Sequence, residues 1–352
     1  MSSARQLTTD YDHWLAEQIP VVAEEVTRKH AEMRADRFRF LRGTYYLWLA
    51  RVAERLPEVL DAARVPIVGD LHVENFGTWR DKEQVRRWGV NDLDELSWGP
   101  WLLDPLRLAV SARLAPRIAV GDKAVSDTVL AAYAGSGPGK AVKLAGKRGA
   151  HLRPLVPEFA HPKKFYRHLR NGSPVTDVPA PVVAAAERIA EPGWVPQWYD
   201  REAGTGSLGH LRRVGVGDAA DGTTHAREAK QLGPGTAVWA ARLGSTMPTP
   251  DPTLFLLVMG AISGPGAIAR VGDWHLRDLA PDVVRIELSG LRGGDSKTLL
   301  TSMAEATGTV HAVDPTAFKV ARGEARELDP RTFAKYVDTM VDALEQDFTD
   351  YR

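Results

Sequence analysis

Carboxylate and amide side chains follow a short apolar run in residues 68–77, at a spacing that suits metal-assisted chemistry. The segment reads Val-Gly-Asp-Leu-His-Val-Glu-Asn-Phe-Gly, which puts Asp70 and Asn75 on one loop. A carboxylate on a loop after a strand can orient a hydroxyl group and accept its proton. An amide oxygen nearby can coordinate a hard cation. We therefore expect a general base and a metal ligand in this loop.

More acids lie downstream, in residues 90–95, which read Val-Asn-Asp-Leu-Asp-Glu. Mg²⁺ prefers one or two carboxylates together with substrate phosphates and water. Phosphoryl transfer needs this division between a positioned base and metal-held charge. Asp92 and Asp94 are thus candidate metal ligands, and Asp104 is a further acid at the start of a predicted helix. The alternative is an ordinary polar loop, because acidic residues are common in turns.

A glycine-rich segment far downstream matches the pattern Gly-x-Gly-x-x-Gly. Backbone N–H groups of such a loop can approach phosphates closely. A lysine on a strand after the loop pairs with the phosphates in kinases. Arg227 and Lys230 follow at a suitable distance and are alternatives for this role, and a solvated charged strand edge is the remaining interpretation. The candidate phosphate-binding loop residues are Gly204, Gly206, Ser207 and Gly209.

Hydrophobic periodicity predicts helices on both sides of a β-rich middle. A hairpin is predicted before a strand at 85–90, and the glycine-rich residues 135–149 indicate a loop. Strand-like runs are expected over 204–287, including Ala237–Ala241 and Val283–Ile286. Helices are predicted over 14–34, 45–63, 104–114 and 296–348. This order predicts an α+β protein with a small sheet lobe and a larger helical lobe.

Composition excludes several classes of function. Lys and Arg together number 45, as do Asp and Glu, so the formal net charge is zero. That balance removes the long-range attraction on which nucleic-acid binders depend. Without cysteine, disulfides, thiolate nucleophiles and Cys-ligated metal centres are excluded. The polar N-terminal residues and the shortness of the apolar stretch 252–262 lead us to expect a cytoplasmic protein without nucleic-acid or membrane partners.

Four motifs in order resemble the DUF2252 family, a bacterial family of unassigned activity grouped with the protein-kinase-like fold. They are Phe40-Leu41-Arg42-Gly43, residues 69–77, residues 91–95 and Asp104-x-x-Arg107-Leu108-Ala109-x-Ser111. The second and third also look like the catalytic loop and the metal-binding segment of aminoglycoside phosphotransferases. The resemblance implies that Asp70 is the catalytic base, Asn75 a magnesium ligand and Asp92 the main metal carboxylate, with Asp94 as the competing assignment. His72 either orients Asp70 or packs.

The order of these motifs implies a circular permutation. A kinase-like chain normally runs from Gly-rich loop through lysine to catalytic loop, whereas here the catalytic loop comes first. Residues 305–312 also look like the helix that precedes the catalytic loop in aminoglycoside phosphotransferases, yet they follow the Gly-rich segment. The family resemblance places a Lys-Glu-Ala segment where this chain has Arg227-Glu228-Ala229, with Lys230 displaced by three positions. We expect a helical lobe over 1–195, a β-rich nucleotide-binding lobe over 196–290 and returning helices over 291–352.

The sequence thus predicts a kinase-like phosphotransferase that uses Mg²⁺ and ATP or GTP. Its acceptor would be a hydroxyl group of a small molecule or a protein. A catalytically inactive nucleotide-binding protein on the same fold is the non-enzyme alternative. A metal-dependent phosphoesterase is a further alternative, because Asp70-Leu71-His72 also suits a two-metal hydrolase.

Overall fold

A computed structural model describes residues 2–156, 161–201, 209–284, 288, 291 and 294–352. The α-helices of the described ranges are α1 (Ala4–Gln18), α2 (Ala23–Ala35), α3 (Arg37–Gly43), α4 (Tyr45–Arg55), α5 (Leu103–Leu114), α6 (Asp122–Gly135), α7 (Pro162–Leu169), α8 (Ala180–Arg188), α9 (Thr236–Ala240), α10 (Leu254–Ile262), α11 (Asp295–His311), α12 (Pro315–Glu327) and α13 (Pro330–Tyr351). None of them combines the length and the apolarity that crossing a membrane requires.

The strands of the same ranges form antiparallel sheets. They are β1 (Arg64–Ile67), β2 (Phe76–Arg80), β3 (Arg86–Val90), β4 (Ser97–Pro100), β5 (Val142–Lys143), β6 (Val195–Asp200), β7 (Arg212–Asp218), β8 (Thr224–Gln231), β9 (Thr249–Pro250), β10 (Ile268–Val271) and β11 (Trp274–Leu279). Two small sheets have the orders β1-β4-β9 and β2-β3-β5, and a larger sheet has the order β10-β11-β8-β7-β6. The protein is therefore of the α+β class, as the sequence predicts.

The larger sheet carries a helix on each face. Side chains alternate between the two faces of a strand, so Ala229 and Leu276 lie on one face and Ala226 and Leu279 on the other. The first pair packs against α8, and the second packs against α7 through Leu169. The sheet is thus the centre of its own small layered unit.

The remaining helices build a larger body around one continuous apolar core. This core joins buried residues of α1, α4–α6 and α11–α13 with those of β1–β3. It also takes in α9 and α10 through Trp239 and Val258, although both helices lie between strands of the larger sheet in the chain. Segment 236–262 therefore ties the sheet to the helical body.

Residues at the two ends of the described chain meet in this body. The backbone N–H of Ala4 donates to Asp350 Oδ2 at 2.8 Å, and Arg5 Nε donates to the Asp350 carbonyl at 2.6 Å. The buried Arg51 on α4 pairs with Asp347 on α13 through Nε and Nη2. Helices α1 and α13 are thus neighbours.

Four sequence expectations about local structure differ from the structure. The helix expected over 14–34 is two helices, because Pro20 lacks an N–H and clashes with the preceding turn. The run Ala237–Ala241, expected as a strand, falls mainly in α9, since alanine favours helix and the run is too short to show a period. Residues 283 and 284 are not in a strand, and 285–286 lie outside the described residues. Within 135–149, expected as a loop, β5 pairs with β3.

Candidate functional site

The loop that carries Asp70 begins with a tight turn after β1. Gly69 has a φ of +90°, which favours glycine, and a Cβ there would lie 2.7 Å from the carbonyl oxygen of Glu95. The backbone N–H groups of Val68 and Gly69 donate to the Asp104 carboxylate at 2.6 and 3.0 Å. The turn is therefore fixed by a carboxylate at the start of α5.

Asp104 is itself held by a buried polar chain. His311 on α11 bonds Asp104 Oδ2 through Nε2 at 2.9 Å, and its Nδ1 lies 2.8 Å from the Tyr133 hydroxyl. Asp104 and His311 are fully buried. The role of Asp104 in this geometry is to hold the loop, because its carboxylate is committed to backbone and histidine partners.

Asp70 is paired with a buried arginine. Arg107, fully buried on α5, forms an ion pair with Asp70 and donates to the Leu41 carbonyl at 2.7 Å. Burial raises the pKa of the Asp70 carboxyl to about 6, Arg107 opposes that rise, and the nearby Asp92 adds to it. The carboxyl group therefore titrates close to neutral pH, where a general base works best.

Asn75 faces the same space as Asp70. Its Nδ2 donates to the backbone carbonyl of Asp70 at 3.1 Å, and its backbone carbonyl accepts from the backbone N–H of Asn91 at 2.9 Å. Asn75 Oδ1 is buried and has no hydrogen-bond partner among the described residues. A buried oxygen acceptor of this kind fits a cation or a donor from a ligand.

His72 is buried and packs edge-to-face on Phe38. Its Nδ1 accepts from the Glu74 backbone N–H at 3.2 Å. It also lines the space around Asp70. His72 thus has packing contacts and also lies beside Asp70.

The acidic segment meets the larger sheet across this space. Asp94 forms an ion pair with Lys230 on β8, and its Oδ1 lies 3.8 Å from Nδ1 of His275 on β11. Glu95 accepts from the backbone N–H and the hydroxyl of Thr236 at 2.7 and 2.8 Å. Burial raises the pKa of the Glu95 carboxyl to about 7.

Two adjoining cavities share this acidic segment. The smaller, of about 80 Å³, collects the predicted catalytic and metal residues with the sheet lysine: Asp70, His72, Asn75, Asp92, Asp94 and Lys230. The larger, a cleft of about 700 Å³ between the larger sheet and the helical body, shares Asp92, Asp94 and Lys230 with it. The smaller cavity therefore opens towards a space large enough for a cofactor-sized ligand.

Magnesium fits this donor set better than a metal held by protein ligands alone. No group of three or more His, Asp or Glu side chains able to hold a metal ion occurs in the described ranges. Mg²⁺ needs only one or two carboxylates when substrate phosphates complete its shell. Asn75 Oδ1 with Asp92, or Asp94, would supply the protein oxygens.

The structure separates the two candidate phosphate-binding cations. Lys230 points to the face that meets Asp94, whereas Arg227 lies on the opposite face, paired with Glu191 at 2.7 Å and with Asp278. Both line the larger cleft. Only Lys230 reaches the cavity that contains Asp70.

Most of the glycine-rich segment, including Gly204, Gly206 and Ser207, lies outside the described residues. Gly209 is described, with a φ of +96°. Its N–H donates to Glu25 on α2 at 2.8 Å, and its carbonyl accepts from Val22 N–H at 3.1 Å. The next residue, His210, lines the smaller cavity. The segment thus connects β6 to β7 and ends beside the cavity that holds Asp70.

Sequence reasoning gave no role to several residues that shape this site. In the sequence, Arg107 and Asp104 are recognisable only as positions of the fourth motif, because their contacts join segments far apart in the chain. A group of arginines around Glu228, namely Arg201, Arg212 and Arg277, was also missed. Strand register, which no local pattern reveals, brings them together.

These observations define a mixed α+β protein with a polar site where a sheet meets a helical body. Residues 21–136 match the model of the DUF2252 family, which is described as an uncharacterized protein conserved in bacteria. All four motifs that carry the resemblance lie inside this range, so the resemblance is confirmed there. Searches among curated proteins and among solved structures found no match.

Proposed function

We propose that this chain is a kinase-like phosphotransferase, which moves the γ-phosphate of Mg-ATP or Mg-GTP to a hydroxyl group of a small molecule or a protein. One observation carries the proposal. Asp70, Asn75 and Asp92 share a single cavity with Lys230, which comes from a distant strand. A base, metal-binding oxygens and a phosphate-binding lysine are the parts that kinase chemistry requires.

Each residue has a role in this proposal. Asp70 accepts the proton of the acceptor hydroxyl, and its pKa of about 6 leaves it mainly ionised at neutral pH. Asn75 and Asp92 hold the magnesium ion, which neutralises charge on the phosphates when bound. Lys230 contacts the phosphates after leaving its ion pair with Asp94. Arg107 keeps the carboxylate of Asp70 in position.

The strand arrangement supports a kinase-like sheet. The glycine-rich segment joins β6 to β7, and Lys230 stands on the next strand, β8. Kinases place the Gly-rich loop and the β3 lysine in this relation. The contact between Ala4 and Asp350 supports the permutation, because permutation requires the joined ends to be near each other.

Nucleotide-dependent thermal stabilisation tests the proposal. A ligand that binds only the folded state raises the melting temperature by mass action. We expect ATP or GTP with Mg²⁺ to raise the midpoint of the wild type. The magnesium-dependent part of this shift should be lost in Asp92→Asn and kept in Asp342→Asn, an exposed control on α13. No shift with either nucleotide would contradict the proposal.

A nucleotide-binding protein without transfer is the second candidate. The ion pair between Lys230 and Asp94 favours it, since both groups must be released for metal and phosphate binding. Release of ADP from γ-labelled ATP distinguishes the two. Stabilisation by nucleotide without any ADP release identifies the inactive binder.

A further inference from the structure

Three arginines of the larger sheet converge on one buried carboxylate. Glu228 on β8 is 1% exposed. Arg212 on β7 and Arg277 on β11 each contact it at 2.8 Å, and Arg201, just after β6, forms a third ion pair with it. One carboxylate cannot balance three guanidinium groups, so this face of the sheet carries an excess of positive charge.

Two of the three arginines line the larger cleft. Arg212 and Arg277 line it beside Lys230, and Arg212 is the direct cross-strand partner of that lysine. Like charges directly opposite each other on a sheet are destabilising unless a counter-charge is present. Arg212 Nε is buried with no hydrogen-bond partner among the described residues. The side chain of Arg277 is 36% exposed, which leaves N–H groups accessible from the cleft, and that of Arg201 is 31% exposed.

Nearby cations also contribute to the low pKa values of two histidines. Burial lowers the pKa of His275 to about 3, and Arg270, Lys230 and Arg277 add to this effect. Burial likewise lowers the pKa of His210 to about 4, with further lowering by Lys29 and Arg212. Protonation of either ring is thus disfavoured partly by the surrounding cations.

The acids nearby do not cancel this excess once a metal is bound. Glu228 and, to a smaller extent, Asp92 raise the pKa of the Arg277 guanidinium, and Asp94 pairs with Lys230. In the proposed function Asp92, or Asp94, turns to magnesium, and Lys230 leaves its ion pair with Asp94. The four cationic groups then outnumber the carboxylates left beside them, which suits a ligand that carries several adjacent negative charges.

We propose that Arg201, Arg212 and Arg277 form a polyphosphate-binding wall, in which Glu228 pre-orients the three guanidinium groups for the phosphate chain of a nucleoside triphosphate. This assignment rests on the proposed function for the identity of the ligand, and it adds contacts that the lysine and the magnesium ion do not provide. Arginine binds phosphate oxygens through two parallel hydrogen bonds, which gives direction as well as charge.

Calorimetric titration with inorganic tripolyphosphate, at low salt and with Mg²⁺ present, tests the wall. We expect the wild type to bind, and Arg277→Gln to bind about tenfold more weakly, as the loss of one charge-assisted hydrogen bond implies. Arg277→Gln should fold, because Glu228 keeps two arginine partners. Arg213→Gln is the matched control, since Arg213 follows Arg212 on β7 of the same sheet but pairs with Asp177 and Asp200 instead of Glu228. It should bind as the wild type does.

Glu228→Gln gives a prediction of opposite sign. Glutamine keeps an acceptor oxygen that orients the arginines but removes the negative charge that repels the ligand, so tripolyphosphate should bind more tightly, whereas a purely structural cluster would bind no better. Equal affinity of the wild type and Arg277→Gln, or no binding of tripolyphosphate by the wild type, would overturn the proposal. Because no phosphate is transferred in this titration, absence of transferase activity leaves its result intact. If the wild type transfers phosphate and Arg277→Gln does so equally well, only the proposed wall is refuted.

Discussion

At the scale of a single residue, opposing interactions set the pKa of the Asp70 carboxyl. Burial and the neighbouring Asp92 favour the protonated carboxyl, while Arg107 favours the carboxylate. The balance leaves its pKa at about 6, so a modest change of pH switches the charge state. Such tuning is common where a carboxylate serves as a general base.

The rate of ADP release should therefore rise with pH through about 6, because only the ionised Asp70 accepts a proton. Asp70→Asn should lower the rate by about 100- to 10,000-fold and abolish this limb of the profile. Steady-state assays with γ-labelled ATP between about pH 5 and pH 8 measure both effects. Asp342→Asn should keep the limb, and a limb that persists in Asp70→Asn would assign it to another group.

The clustering of Asp70, Asn75 and Asp92 could be predicted from sequence because it is local. A loop and the hairpin β2–β3 that follows it are enough to bring these residues together. The preference for Lys230 over Arg227 could not be predicted, since it depends on which face of β8 meets the acidic segment. The grouping of three arginines on Glu228 depends on the register of three strands.

At the scale of elements, α5 supports the loop that carries Asp70 through side chains on its first two turns. Asp104 binds the turn at Val68 and Gly69, and Arg107 binds Asp70. The start of this helix agrees closely with the prediction from its apolar spacing. Its neighbour α11 was predicted as helix too, but the bond from His311 to Asp104 leaves no trace in the sequence pattern.

Asp104→Ala should lower the free energy of unfolding by about 3–5 kcal/mol, because it leaves a buried histidine and two backbone N–H groups without their partner. Urea denaturation measures the change. Asp338→Ala is the matched control, since this exposed residue of α13 pairs with Arg113 at the surface. Its effect should stay within about 1 kcal/mol. Equal losses in the two variants would show that the buried chain does not support the fold.

At the scale of the whole molecule, the helical body is assembled from both ends of the described chain. Helices α1 and α13 meet through Ala4 and Asp350, and the larger sheet lies between them in sequence. The α+β class and the two groups of helices follow from hydrophobic periodicity. The packing of α9 and α10 in the core of the helical body does not follow from it, because an apolar surface does not by itself indicate which element it packs against.

A circular permutant tests this arrangement. The new chain would begin at Gly139, end at Pro138 and join residues 352 and 2 by a short flexible linker. Pro138 and Gly139 are exposed, and nothing lies within 4 Å of a Cβ built at Gly139. We expect a melting temperature within about 4 °C of the wild type, since few contacts change. The same linker with a cut between Leu108 and Ala109, in the buried α5, should prevent folding.

The link between Asp104 and His311 has a consequence for synthesis on the ribosome. The two residues are 207 positions apart in the chain, and Arg51 and its partner Asp347 are 296 positions apart. The loop that carries Asp70 is therefore translated long before the residues that steady it. During elongation the early helices and strands lack their closing partners and expose apolar surface, the condition under which nascent chains engage chaperones. The contact that holds Asp104 against the turn at Val68 and Gly69 is complete only after α11 has been made, so a product that ends before α11 would contain the Asp70 segment without this support.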